Sequence, residues 1–436
     1  MVVSCGASIL GDCIIGDNVI IGAGCVVVKS VPANSTIIGN PAVIVKKEGI
    51  KTYELLLLNF MRILFIANYS QLYGANRSML TIIEYLHNNE YDVKLILPSK
   101  GDICQELDTI GIDYKVIPMF TQLYYLKRNI KYLALPILDI WTFFKLPFLI
   151  KEAKKFSPDI IYSNTSAEMT GIEVAKKLGV KHISHIREFM DLDHGAQFIM
   201  GKKGKKRFIN QSDGVIYVSY SVANHVNLGE PLGKSQRVIY NGLKDANVEF
   251  EDKEICNSLN LGVVGIFDKA KGQDLAINAM PKILKIFPNA KLNIWGDKEG
   301  GFKRVIHKLV KSLNLDNSVV FHGFEKNSNQ IYKDMDILLM CSRCEGFGRV
   351  TVEAMQRGIP VIGLNTGGTS ELVKDGFNGY LFNSIQEIPS KLSLLLESKE
   401  HYNHIRRNAY TESRSMYSVT QYCKSVEDFI CQIYSL

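Results

Sequence analysis

The sequence has few of the features that mark a secreted, membrane-spanning or metal-dependent chain. Its nine cysteines are scattered and odd in number, and no secretory leader precedes them, so the expected compartment is a reducing cytoplasm, with no disulfide framework. The one Cys-x-x-Cys, Cys341 to Cys344, lacks the second pair that a zinc site needs. It flanks an apolar run, where cysteine acts as a small apolar residue. No stretch is apolar enough to make a good membrane span: the best, Leu133 to Ile150, is interrupted by Asp139, Lys145 and two prolines. Charge excess is small. A net charge of +7 from 51 basic and 44 acidic residues suits phosphate-bearing ligands or an anionic membrane surface, and does not by itself point to nucleic acid.

What remains is a chain of 436 residues, 46% hydrophobic and 22% charged, long enough for two or three buried cores and too apolar for disorder. From Met61 onward, short apolar runs alternate with helical patterns, as a doubly wound α/β fold requires. Strands are expected at Ile63 to Ala67, Val93 to Leu97, Tyr114 to Ile117, Ile160 to Ser163, His182 to His185 and Gly214 to Val218. A second series follows at Leu261 to Phe267, Leu292 to Trp295, Val319 to Phe324, Ile337 to Met340 and Val361 to Leu364.

The most informative stretch is Glu345-Gly-Phe-Gly-Arg-Val-Thr-Val-Glu353, which follows the run Ile337 to Met340 and enters a helix closed by Gly358-Ile-Pro360. Glu345 therefore lies at the carboxyl end of a strand, where open α/β sheets bind ligands. Gly346 and Gly348 let backbone approach a ligand closely, and Glu353 lies about two turns along on nearly the same helix face. Two carboxylates so placed can grip two parts of one extended polar ligand. The plainer reading, a solvated acidic helix beside a structural turn, leaves the glycine pair Gly367-Gly368 unexplained. That pair opens a helix at Thr369-Ser-Glu371, whose free amides and dipole suit a phosphate. Gly74, in the turn Gln71 to Arg77, and Lys271, just after the strand Leu261 to Phe267, are placed for the same task, one through backbone and one as a point charge. Two Asp-x-Asp matches, Asp191 to Asp193 and Asp334 to Asp336, are read as chance, so no metal is expected.

The first fifty residues follow another rule. Val3, Ile9, Ile15, Ile21 and Val27 recur every six residues, with Ala7, Cys13, Val19 and Cys25 two places before the last four. Such a hexad pattern, with Gly16 and Gly22 at turns, marks a left-handed parallel β-helix of about two coils. Its ending, Ile37-Ile-Gly-Asn-Pro-Ala42, resembles the exit segment of hexapeptide-repeat acyltransferases. Those enzymes use a histidine base from an earlier coil, and the first histidine here is His87. The expectation is a remnant joined to the rest of the chain, without acyltransferase activity.

From about Met61 to the carboxyl terminus the motifs resemble the retaining glycosyltransferases of family 4, whose GT-B fold sets two Rossmann-like domains across a cleft. The resemblance implies that Glu353 holds the ribose hydroxyls of a nucleotide-sugar donor and Glu345 its sugar ring. Lys271, with the amides after Gly367 and Gly368, including Thr369, would hold the diphosphate; Arg349 assists, and Gly74 faces the diphosphate from the first domain. Family members place a His or a His-Asp pair near the transferred sugar. Here His185-Ile-Arg-Glu188 stands at that strand end, so His185 and Arg187 are the catalytic candidates, against the alternative that His185 only completes a core hydrogen bond. Two departures are visible. Ala75 stands where the family loop has a second glycine, and Gly265-Ile266 lacks the arginine of many relatives, leaving Lys269 or Arg349 as the second cation.

The implied organisation is a β-helix remnant at 1–48, a linker at 49–60, an acceptor domain at 61–243 that ends in the hinge Val238 to Gly242, a nucleotide-sugar domain at 244–415 and a helix at 416–436 that crosses back. The implied activity is retaining, metal-independent transfer of a sugar to a glycan or lipid-linked acceptor, with no cofactor and with no nucleic-acid partner. The basic runs Lys151 to Lys155 and Gly201 to Arg207 suggest peripheral contact with the inner face of the cell membrane, or else a solvated face. A nucleotide-sugar epimerase of the same fold, a bifunctional acyl and glycosyl transferase and a non-catalytic binding protein stay open as rivals.

Overall fold

The structure, a computed structural model, describes residues 1–39, 42–47, 50–51, 61–119, 123–125, 135–167, 170–193, 195–198, 201–255 and 258–436. Of the expected linker at 49–60, Ile50–Lys51 forms a short strand paired with Val43–Lys47; its other residues, and the start of the apolar stretch at 133–134, lie outside the described residues.

The amino-terminal segment is a stack of short parallel strands. Val2 pairs with Ile20 and Ser8 with Val26, each eighteen residues on, so one turn of the stack consumes three hexads. Ile21 in turn pairs with Ile37. Val19, Ile21, Cys25, Val27, Val31 and Ile37 fill its interior. Of the expected inward series, Val3 and Ile9 are instead exposed, at 48% and 40%, because they lie in the end turn, where the stack stops. Gly16 is required: a Cβ there would lie 2.3 Å from the Ala33 nitrogen.

The remainder holds two open sheets. The first has seven strands in the order Asp113–Val116, Asp92–Leu97, Arg62–Ala67, Ile160–Asn164, Lys181–Ile186, Gly214–Tyr217 and Gln236–Val238. The second has six parallel strands in the order Val319–Gly323, Lys291–Trp295, Asn260–Val264, Ile337–Met340, Val361–Leu364 and Gly379–Phe382. In each, the strand order reverses between the first and fourth strands of the sheet, the place where doubly wound sheets open a crevice. Helices cover both faces of the second sheet. Ile337 and Leu339 join the core on one face, Leu338 and Met340 the core on the other, which is why this run reads as continuously apolar rather than alternating. Cutting Leu339 to Ala would cost about 2–5 kcal/mol.

The strand Asn260–Val264 ends three residues before its expected limit. Gly265 takes φ +152, and the next strand's Gly296 approaches so closely that a Cβ on it would lie 2.0 Å from the Gly265 carbonyl oxygen. Strands Gln236–Val238 and Gly379–Phe382 were not expected; both are edge strands of three or four residues. The final helix, Val419–Tyr434, is capped by the Ser418 hydroxyl, which accepts from the Gln421 N–H at 3.2 Å. It lies on the first sheet: a Cβ on Gly214 would meet Ile433 and Phe429 within 3 Å. No helix among the described residues is long and apolar enough to cross a membrane.

Candidate active site

At the switch point of the second sheet, two loops deliver opposite charges to one place. Lys271 ends a short turn, Lys269–Lys271, which Asp268 caps by accepting from the Ala270 N–H at 3.1 Å. The turn is pressed onto the neighbouring strand end, since Gly272 takes φ +71 and a Cβ there would lie 1.9 Å from the Cys341 carbonyl oxygen. Lys271 Nζ reaches Glu345 Oε2 at 2.7 Å. Burial pulls the ammonium down, but Glu345, with Asp193 and Asp268, outweighs it and holds the Lys271 pKa above the ordinary value.

The backbone around Glu345 is built from glycine contacts. Gly368 donates its N–H to the Glu345 carbonyl at 2.7 Å, and a Cβ on Gly367 would lie 2.7 Å from that same oxygen. On the other flank, a Cβ on Gly346 would lie 2.6 Å from the carbonyl oxygen of Arg187, in the first-sheet half. Main chain thus meets main chain on both flanks of Glu345. The helix Thr369–Leu372 is one turn long, and the Gly368 amide is already occupied. The Thr369 hydroxyl is fully buried and has no partner among the described residues. Glu371 faces elsewhere: it accepts from Tyr220 N–H at 2.9 Å, Ser221 N–H at 2.7 Å and the Tyr240 hydroxyl at 2.9 Å, capping the first turn of the helix Tyr220–Val226.

Arg349 and Glu353 lie along one helix, Arg349–Met355. Arg349 donates to the Ser78 hydroxyl at 3.1 Å and stands 3.9 Å from Glu353. A Cβ on Gly74 would touch the Arg349 Cδ at 3.4 Å, so the Gly74 turn and Arg349 share one wall. Glu353 also accepts from the buried Tyr332 hydroxyl at 3.1 Å.

His185 is fully buried, with Nδ1 2.5 Å from the Tyr162 hydroxyl and Nε2 unpartnered among the described residues. Burial first, and Arg187 second, push its pKa well below the usual histidine range, so the ring is neutral near pH 7. Arg187 is fully engaged as a strut. It donates to Asn164 Oδ1 at 2.5 Å, Asn241 Oδ1 at 2.8 Å and the Tyr422 hydroxyl at 3.2 Å. These partners gave no signal in the sequence, because Tyr422 lies 235 residues from Arg187. Glu188 points back into the first half, accepting from Ser166 N–H at 2.7 Å and its hydroxyl at 2.9 Å.

The Asp-x-Asp matches have structural partners. Asp193 accepts from the Phe189 and Met190 amides at 2.9 and 2.7 Å, Asp191 pairs with Lys202 and His225, and Asp336 accepts from the Asn260 amide at 2.7 Å. The basic run is less free than its composition implies: Lys205 is buried and donates to the Phe189 carbonyl, and Lys206 pairs with Glu230. Cys341 and Cys344 are buried, and burial pushes both thiols up to about 12.

Residues 73–246 match the family model of Glycosyltransferase Family 4, and residues 249–412 that of Glycosyl transferases group 1. Residues 73–412 form a glycosyltransferase. The chain is 29% identical to a 41.2 kDa protein in the cps region of Klebsiella pneumoniae, over 64% of this chain and 82% of that one. It is 30% identical to the N-acetyl-alpha-D-glucosaminyl L-malate synthase of Bacillus anthracis, over 49% of this chain and 59% of that one. It thus spans less than two thirds of the latter relative. Among solved structures, HepE of Anabaena, in complex with UDP and glucose, superposes with a TM-score of 0.70 at 22% identity, covering 85% of this chain and all of that one. That likeness gives the glycosyltransferase its fold, GT-B, with two Rossmann-like domains.

Proposed function

We propose that the chain transfers a sugar, with retention of configuration and without a metal, from a nucleoside-diphosphate sugar to a glycan or lipid-linked acceptor in cell-surface polysaccharide biosynthesis. The observation that carries the reading is the Lys271–Glu345 pair, 2.7 Å apart at the carboxyl ends of the strands flanking the switch point. In this reading Lys271 exchanges Glu345 for the donor diphosphate and stabilises the leaving group as its negative charge grows. The Gly367 and Thr369 backbone and Arg349 share that role beside Gly74, Glu353 holds the ribose, and Glu345 the sugar ring. His185 offers its neutral Nε2 to a sugar hydroxyl, and Arg187 positions it through Asn164. As the acceptor oxygen bonds to the anomeric carbon and the bond to the diphosphate breaks, the acceptor proton passes to the leaving phosphate oxygen.

Similar proteins support the substrate class: HepE was crystallised with UDP and glucose, and one relative is encoded in a cps region. The test is turnover with a panel of nucleotide sugars, followed by the anomeric configuration of the product. An inverted linkage refutes retention, and absence of turnover with every donor refutes the activity. We further read the amino-terminal stack as the end of a left-handed hexapeptide-repeat helix. Peripheral membrane contact is a narrower proposal than the composition implied, resting on Lys203 and Arg207, since Lys205 is buried and Lys202 and Lys206 are paired.

A further inference from the structure

A cavity of about 310 Å³ opens beside the Glu345 backbone, between Phe189, Leu192 and Ser221 on one side and Arg343, Cys344 and Thr366 on the other, with Gly367 at its edge. The volume falls at the lower end of the roughly 300–1,000 Å³ of small-molecule sites, room for a sugar ring rather than a whole nucleotide sugar. Gly367 belongs to the cavity and to the contact with the Glu345 carbonyl, so an occupant adjoins the proposed reaction centre.

The lining chemistry decides which half of the reaction this cavity serves. A diphosphate needs free cations, and none is offered. The Arg343 guanidinium donates to both oxygens of Asp274, at 2.8 and 2.7 Å, and to the Lys269 carbonyl. The other charges nearby are also matched: Glu345 pairs with Lys271, and Asp191 with Lys202 and His225, so the lining offers an anion no uncommitted cation. Beside these neutralised pairs stand two apolar surfaces, Phe189 and the half-exposed Leu192, which suit the C–H face of a pyranose. The hydroxyls of Ser221 and Thr366 take no hydrogen bond from another side chain among the described residues, and stand ready for sugar hydroxyls. The wall is rigid, because Asp193 pins the Phe189 and Met190 amides and Met190 takes φ +77.

We propose that this cavity is the acceptor subsite, and that it takes a neutral sugar ring in preference to an anionic one. The inference rests on the glycosyltransferase reading of the neighbouring site. Its test uses the full chain with a donor that it turns over, offering p-nitrophenyl hexosides and p-nitrophenyl hexuronides, and reads the ratio of transfer to donor hydrolysis. Saturation-transfer NMR on the same probes reads binding. The expected result is at least a tenfold preference for hexosides, a tenfold fall in that ratio for Leu192→Trp, which fills the cavity, and a narrowed preference for Thr366→Lys, which adds a cation. Melting curves check that both variants fold, and either one suffices. Equal use of hexuronides, a ratio within twofold of wild type in the folded variants, or neither transfer to nor binding of any hexoside overturns the proposal. Loss of all donor turnover in the wild-type chain sinks the activity itself, a separate failure.

Discussion

Replacing Lys271 by methionine separates what the ion pair does for the fold from what it does for the chemistry. At 2.7 Å and an effective dielectric of about 20, the gross attraction to Glu345 is about 6 kcal/mol. Desolvation offsets most of it, and about a third of the lysine side chain is exposed (31%), so the net loss of stability is about 1–2 kcal/mol. The expected consequence is a melting temperature lower by a few degrees. Loss of the cation where the leaving group's charge develops should lower kcat by a further ~10²–10³-fold. Lys271→Arg should recover stability before activity, because a planar fork replaces a point charge. The assay is a double-mutant cycle with Glu345→Gln, read by melting and by donor turnover. Stability effects that add to within about 0.3 kcal/mol, or turnover within threefold of wild type in Lys271→Met, would refute the reasoning.

Gly272→Ala should destabilise by more than about 2 kcal/mol, because the new Cβ meets the Cys341 carbonyl at 1.9 Å and φ is +71; calorimetry checks it. Arg187→Met should cost about 3–5 kcal/mol by stranding Asn164, Asn241 and Tyr422, with Arg187→Lys restoring little of it in urea titrations. Buried His182, lowered to about 3, and His185, also lowered, remain neutral in the fold. The unfolded chain takes up those protons first, so stability is full above about pH 6.5 and falls below it, by up to about 1.4 kcal/mol per pH unit for each ring. His185→Phe should remove about half of that slope, and an unchanged slope would contradict the assignment.

Much of the fold was legible because buried parallel strands write themselves as apolar runs. Ile337 to Met340 and Val361 to Leu364 have the expected limits. The edge strand Gln236–Val238 was not legible, since two of its three residues are polar, and Gly379–Phe382 was missed, whereas the edge strand Asp113–Val116 was expected within a residue of its limits. For the site, spacing along one loop or helix placed Glu345, Arg349 and Glu353, and the glycine pair pointed to close backbone approach. Contacts made across hundreds of residues had no local trace. Arg187 is tied to Tyr422, and Glu371 to Tyr220, Ser221 and Tyr240, so side chains that composition offers for chemistry serve as struts. The basic run is less free than its composition implies for a related reason: Lys202, Lys205 and Lys206 found partners in the fold.

The glycine contacts flanking Glu345 limit how this enzyme can diversify. Where peptide planes touch with no side chain between them, point substitution has nothing to vary, and exchange of any of these glycines disturbs the frame before it changes recognition. Altered substrate preference must therefore originate farther out, at side chains such as Leu192 and Thr366. A directed-evolution library concentrated there would sample selectivity while leaving the frame untouched.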